Sequence, residues 1–199
     1  MERVKELGQT AVAITDHGVM YGVIDFYRAC KAEGIKPIIG CEVYVAPRTR
    51  FDKVHEFDSE ARHLVLLCRN EQGYRNLSYM VSQAFLEGFY IKPRIDMDLL
   101  REHKDGLIAC SACLAGELPR KLKTGDYEGA KAYALEMREL FGEDGYYLEL
   151  QGANSSADVY LDGKKLAHHD GGYSTWRVDL TAEIKDESLL VVAVDNAPN

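Results

Sequence analysis

Four side chains in this sequence are of types that bind metal ions and stand where such ligands are often held: His17, Glu42, His63 and Cys113. His17 and Glu42 follow the apolar residues of strands predicted at 10–14 and 36–45. His63 lies near the start of a strand at 62–68, and Cys113 follows one at 106–110. Two imidazoles, a carboxylate and a thiolate make a workable donor set for zinc or a mixed site, and a carboxylate can bridge two ions. Such a cluster would generate a hydroxide and brace an in-line attack on a phosphoester. By residue type alone, a lone histidine in an apolar strand is more often a hydrogen-bonded core residue. Glu42 is a different case. Inside Ile38-Ile39-Gly40-Cys41-Glu42-Val43-Tyr44-Val45 a carboxylate must be paired, hydrogen-bonded or bound to metal.

The elements that must position these groups alternate. After the tail of a helix at 1–8, the strand at 10–14 leads into the turn Thr15-Asp16-His17-Gly18. A helix follows at 20–33, with Val23, Phe26, Tyr27 and Cys30 on one stripe. The strand at 36–45 is a nearly continuous apolar run, which suits burial on both faces in a parallel sheet. A polar loop at 47–60, a strand at 62–68 and a helix at 71–86 come next. Then follow a loop at 88–94, a short helix at 96–103, the strand at 106–110, a helix at 126–141 and a strand at 146–150. This order predicts an α/β fold with a parallel sheet or barrel, whose strand C-termini would converge on one face.

The rhythm changes at residue 152. Residues 157–161 alternate small or apolar with polar, Asp162-Gly163 is a two-residue hairpin signal, and 164–168 is the return strand. Further strands are expected at 173–180 and 189–194, with no helix between. His168 and His169 point to opposite faces of a strand, so they cannot easily serve one ligand, and Trp176 reads as core.

Composition limits the possibilities. The net charge of −8 is shared equally, −4 in residues 1–151 and −4 in 152–199, so an autonomous nucleic-acid binder is not expected. No apolar run reaches the ~20 residues of a membrane span, and Met1 is followed by charged residues, so the expected location is the cytoplasm. All five cysteines fall in the first part, and an odd number without secretory context suits reduced thiols. Cys110 and Cys113 form a lone C-x-x-C. No second pair accompanies them to build a zinc knuckle, and a redox pair would want a helix N-terminus.

Several stretches now carry a resemblance: Ala13-Ile14-Thr15-Asp16-His17-Gly18, Pro37 through Tyr44, His63-Leu64-Val65-Leu66-Leu67, Gly88-Phe89-Tyr90-Ile91-Lys92-Pro93-Arg94, and Ser111 through Glu117. Together they closely resemble the polymerase and histidinol phosphatase (PHP) domain family, as found at the start of bacterial DNA polymerase III alpha subunits. The resemblance runs from residue 1 to about 151. It implies a distorted (βα)7 barrel with a metal cluster at the strand C-termini, serving phosphoesterase or 3′ to 5′ proofreading exonuclease chemistry in some members. It implies that His17, Glu42, His63 and Cys113 are ligands to a divalent metal (Zn, Mn or Mg), with Asp16 a weaker or supporting candidate. Arg94, in Lys92-Pro93-Arg94, is implied as a possible phosphate contact. The implied partners are DNA and replisome subunits, with no membrane. The family's opening His-x-His and closing Asp-x-His strands are not in this text, so an incomplete barrel and a partial, inactive site are expected.

Residues 152–199 resemble the middle of the N-terminal jelly-roll domain of family-two glycoside hydrolases. The matching text is residues 152–165, Asp170-Gly171-Gly172-Tyr173-Ser174 and Val192-Ala193-Val194-Asp195-Asn196. The catalytic carboxylates of those enzymes belong to a separate barrel, so no glycosidase activity follows. The expectation is a chimaera of two domains, 1–151 and 152–199. Its tail would form a small antiparallel sheet that supplies no metal ligand. Two alternatives stand beside the main reading: a carbohydrate-binding or structural module, with a sugar as ligand, and a chain without activity whose open sheet edges favour self-association.

Overall fold

In a computed structural model, residues 1–148, 156–170, 178, 180, 183, 185, 188 and 190–195 are described. The chain divides into two compact units, Met1–Glu149 and Leu150–Asn199. Among the described residues no helix is long and apolar enough to cross a membrane.

The first unit begins with a short helix α1 (Glu2–Glu6) and strand β1 (Ala11–Ile14), then α2 (Val23–Ala32) and β2 (Lys36–Val45). The ten residues of α2 carry the chain back, so β1 and β2 pair in parallel, Ala11 against Lys36 through Ile14 against Ile39. Next come a four-residue helix α3 (His55–Asp58), β3 (Arg62–Cys68), α4 (Glu71–Leu86), a two-residue β4 (Arg94–Ile95) and α5 (Met97–Glu102). The unit closes with β5 (Leu107–Cys110), α6 (Glu117–Lys123), α7 (Tyr127–Phe141) and β6 (Tyr146–Tyr147). The strands form a single sheet in the order β1-β2-β3-β5-β6, with β4 beside β2.

The sheet is mixed, which corrects the expectation of a parallel one. The β1/β2, β2/β4 and β5/β6 pairs are parallel, whereas β3 runs antiparallel to both β2 and β5. The connection from β2 to β3 contains only the four-residue α3 and no crossover helix of the length of α2. The chain instead turns back alongside, Val45 opposite Arg62 and Gly40 opposite Leu67.

The core lies between the sheet and α4. Cys41, Val43 and Val45 of β2 and Leu64 and Leu66 of β3 face Leu77, Met80, Val81 and Ala84 of α4, which recur at helical spacing. Asn70 caps α4 by accepting a hydrogen bond from the Gly73 amide at 3.0 Å. Gly73 itself is required by contact: a Cβ there would stand 1.9 Å from the Gly106 carbonyl oxygen. With the odd residues of β2 turned to α4, Glu42 and Tyr44 share the opposite face with His63 and Val65 of β3.

Among its described residues the second unit holds a three-stranded antiparallel sheet, with β7 (Ser156–Leu161) between β8 (Lys164–Asp170) and β9 (Leu190–Asp195). Ala157, Val159 and Leu161 are buried in strict alternation. Asp162 (φ 50°) and Gly163 (φ 81°) make the tight turn that their pairing in the sequence predicts. The strand expected at 173–180 falls largely outside the described residues, as do Trp176 and the stretch 149–155.

Candidate metal centre

His17, Glu42 and His63 meet. One nitrogen of each imidazole and one oxygen of Glu42 lie within 4.8 Å of one another. The His17 contact follows from the β1/β2 register. Past the last paired residues of β1, the offset of the two strands continues through a parallel bridge between His17 and Glu42. It is closed by the Glu42 amide donating to the Asp16 carbonyl and the Gly18 amide donating to the Glu42 carbonyl, each at 2.9 Å. The His63 contact follows from the inversion of β3. In a strand running the other way, the start of β3 lies beside the end of β2, so His63 reaches the edge where β1 and β2 finish.

Glu42 is only 9% exposed, and its Oε1 lies 2.5 Å from His63 Nδ1 and 3.2 Å from His17 Nε2. Both contacts are close enough for an ion pair, yet neither has the angular geometry of a hydrogen bond, and Oε1 is left without a hydrogen-bond partner. A buried carboxylate oxygen in this state is costly unless a cation takes its lone pairs. A divalent ion held by two imidazoles and a carboxylate fits that requirement and this donor set. The His17 side chain is largely exposed, so the centre opens to solvent on that side.

Cys113 stands at the margin, its Sγ 3.4 Å from His63 Nδ1, outside the tight group of three. Ala112 before it adopts φ 58° although it is buried. Asp16 serves through its backbone: its carbonyl accepts from the Glu42 amide and from the Cys41 thiol at 3.3 Å. Its carboxylate lies beside Gly22 at the start of α2 instead of joining the cluster.

Arg94 is not at the surface, where a phosphate contact would need it. It is fully buried, donating from Nε to the Gly88 carbonyl (3.1 Å), from Nη1 to that of Asp58 (3.1 Å), and from Nη2 to those of Arg50 (3.3 Å) and Asp52 (2.8 Å). The residue ties the loops 46–61 and 88–94 together.

Two supporting residues escaped the sequence reading. Cys41 is fully buried, its thiol donating to the carbonyls of Asp16 and Val19; burial pushes its pKa up to about 12, which suits a clasp on the His17 turn and not a ligand. Tyr44, which pairs with His63 across the strands, lies edge-on to that imidazole with centroids 5.1 Å apart and packs against it. The signal for Tyr44 was the two-residue period that puts it on the face of Glu42. For Cys41 nothing in the sequence distinguished a clasp from core.

With this geometry in hand, comparison with known proteins is specific. Residues 1–153 match the PHP domain family. The chain is 51% identical over 148 residues to the DNA polymerase III subunit alpha of Treponema pallidum, covering 74% of this chain and 13% of that protein. It is 50% identical over 151 residues to the same subunit of Chlamydia pneumoniae, with 74% and 12% covered. For Thermus aquaticus the values are 46% over 143 residues, 71% and 12%. The chain thus spans about an eighth of the length of the curated relatives it matches.

Proposed function

This chain belongs to the PHP domain family, and from that premise we propose that residues 1–151 carry a metal-dependent phosphoester site of the kind that serves DNA replication. The observation that carries the reading is the buried Glu42 oxygen, facing two imidazole nitrogens and lacking any hydrogen bond. His17, Glu42 and His63 would hold a divalent ion, Zn, Mn or Mg, with Cys113 available as a further donor beside His63. Such an ion, when bound, polarises a phosphoester and activates water for the attack. The protein's own residues orient the centre. Tyr44 and the Cys41 clasp fix the ligands, and the exposed side of His17 leaves room for a substrate. The chain's relatives are named as DNA polymerase subunits, so the reading assigns DNA as substrate, replisome subunits as partners and the cytoplasm as location. With a net charge of −4, residues 1–151 would receive the strand end from neighbouring parts of such an assembly.

Metal analysis after dialysis tests the proposal. The wild-type chain should retain Zn or Mn, and His17→Ala or Glu42→Ala should lower the retained metal at least tenfold with the fold preserved. Retention of no metal by the wild type, or equal retention by both variants, would rule the centre out. A sugar-binding role for residues 152–199 rests on their resemblance in sequence and on a three-stranded sheet common to many folds, and we do not adopt it.

A further inference from the structure

We propose that Lys92 is the phosphate-binding cation of this centre, held at its rim by a strained turn; the inference rests on the phosphoester reading above. Lys92 is exposed, and its Nζ stands 5.5 Å from the centroid of the Tyr44 ring. The same ring lies against His63, so one aromatic side chain separates the ammonium from a proposed ligand. The loop is seated there closely. A Cβ added to Gly18, next to His17, would come 2.8 Å from the Tyr44 ring and 3.2 Å from Pro93. The turn that carries His17, the ring of Tyr44 and the residue after Lys92 therefore form one packed edge.

The backbone before Lys92 is strained. Ile91 adopts φ 62°, in the left-handed region that a β-branched residue avoids. The Lys92 amide donates to the Tyr90 carbonyl at 2.6 Å, closing a three-residue γ-turn, and the Tyr90 amide donates to the Lys92 carbonyl at 3.0 Å. Such strain persists only where the surroundings fix it, and it gathers at functional sites. Here the fixing is visible: Arg94, two residues on, is locked into four carbonyls and stacks 5.2 Å over the Tyr90 ring. Among the described non-glycine residues of the first unit, only Ile91 and Ala112 have positive φ. Each immediately precedes a residue at the centre, Lys92 or Cys113.

Charge selects the ligand class. Several arginines of the first unit are already engaged: Arg48 with Asp58, Arg50 with Glu87 and Asp96, Arg62 with Glu117 and Arg120 with Glu60. Among the described residues no carboxylate pairs with Lys92. A free ammonium on a flexible stem, beside a centre of carboxylate and imidazole, suits the oxygens of a phosphate group. That group could belong to a phosphomonoester or to a strand's phosphodiester.

The experiment compares the full chain with Lys92→Gln and Lys92→Arg, each loaded with Mn²⁺ and assayed for metal content. Binding of inorganic phosphate and of a four-residue single-stranded oligothymidylate is measured by calorimetry. Lys92→Gln should keep the metal and bind phosphate about tenfold or more weakly, with a shallower salt dependence, and Lys92→Arg should restore most of the loss. Weakening confined to the oligonucleotide assigns the residue to a diester; weakening of both probes assigns it to the phosphate group itself. Unchanged affinity in Lys92→Gln, or loss of metal from it, overturns the role of Lys92 while leaving the metal centre standing. A wild type that retains no metal removes the centre and this inference together.

Discussion

A guanidinium without solvent exposure is expensive, and Arg94 is stabilised by what it satisfies: four backbone carbonyls drawn from the two connections 46–61 and 88–94, with the face of Tyr90 beneath it. Burial depresses its pKa, and the nearby carboxylate of Asp58 opposes that shift. Asp58 is itself fully buried, chelating Arg48 through Nε at 3.0 Å and Nη2 at 2.6 Å, and its pKa is held down at about 2 by that pairing. Replacing Arg94 by Met keeps the length and removes every donor, leaving the carbonyls orphaned. The expected cost is about 3 kcal/mol or more, read as a lowered urea midpoint. A loss below about 1 kcal/mol would mean that water reaches these carbonyls. In the sequence Lys92-Pro93-Arg94 looked like one functional text. The structure divides it, with Arg94 facing inward and Lys92 facing out.

Elements were more legible than their partners. The apolar stripe of α4, its Asn70 cap and the Asp162-Gly163 hairpin follow from spacing and turn chemistry, and appear where those rules put them. Three short elements did not: α3, β4 and α6 are held by contacts, Arg94 and the sheet edge among them, that leave no periodicity in so few residues. The β7/β8 hairpin carries a charge pattern with a pH consequence. Asp158 is opposite His168 across the strands, with His168 Nδ1 2.5 Å from Asp158 Oδ1 and Nε2 3.0 Å from Asp170 Oδ2, while Lys165 Nζ lies 2.6 Å from Asp158 Oδ1. The two carboxylates raise the His168 pKa above its ordinary 6.5, first through the Asp158 hydrogen bond, and Lys165 and His168 lower that of Asp158. A raised histidine stabilises the hairpin fully below pH 6.5 and ceases to as pH climbs through the folded value; the lowered Asp158 stabilises it above about pH 4. The hairpin should therefore be most protected from amide exchange near pH 5–6, with protection falling by pH 8 in the wild type but not in His168→Gln. A flat profile between those limits in the wild type would show that the pair is solvated.

At the scale of the whole molecule, what the sequence could not disclose was direction. A run of apolar residues reads the same whichever way its strand lies, so β3 was expected to be parallel, and His63 then fell at the wrong end of its strand. The pairing register discloses it: β3 runs antiparallel to β2, Val45 opposite Arg62 and Gly40 opposite Leu67. The inversion also has a consequence in time. Glu42 and His63 lie on β2 and β3, and His17 in the turn just after β1, so the two loops that must close hold only about 25 and about 21 residues. At ribosomal rates of about 5–20 residues per second, the three residues are synthesised within roughly 2–9 s of one another, and Cys113 follows after a similar interval. The centre is thus laid down by the earliest part of the sheet, ahead of β5 and β6. Pulse-labelled refolding should show the amides of β2 and β3 protected before those of β5 and β6, and simultaneous protection of all four would refute that order. A nascent chain of this design therefore carries His17, Glu42 and His63 before most of the core residues of its first unit, from Leu64 to Met137, have been made.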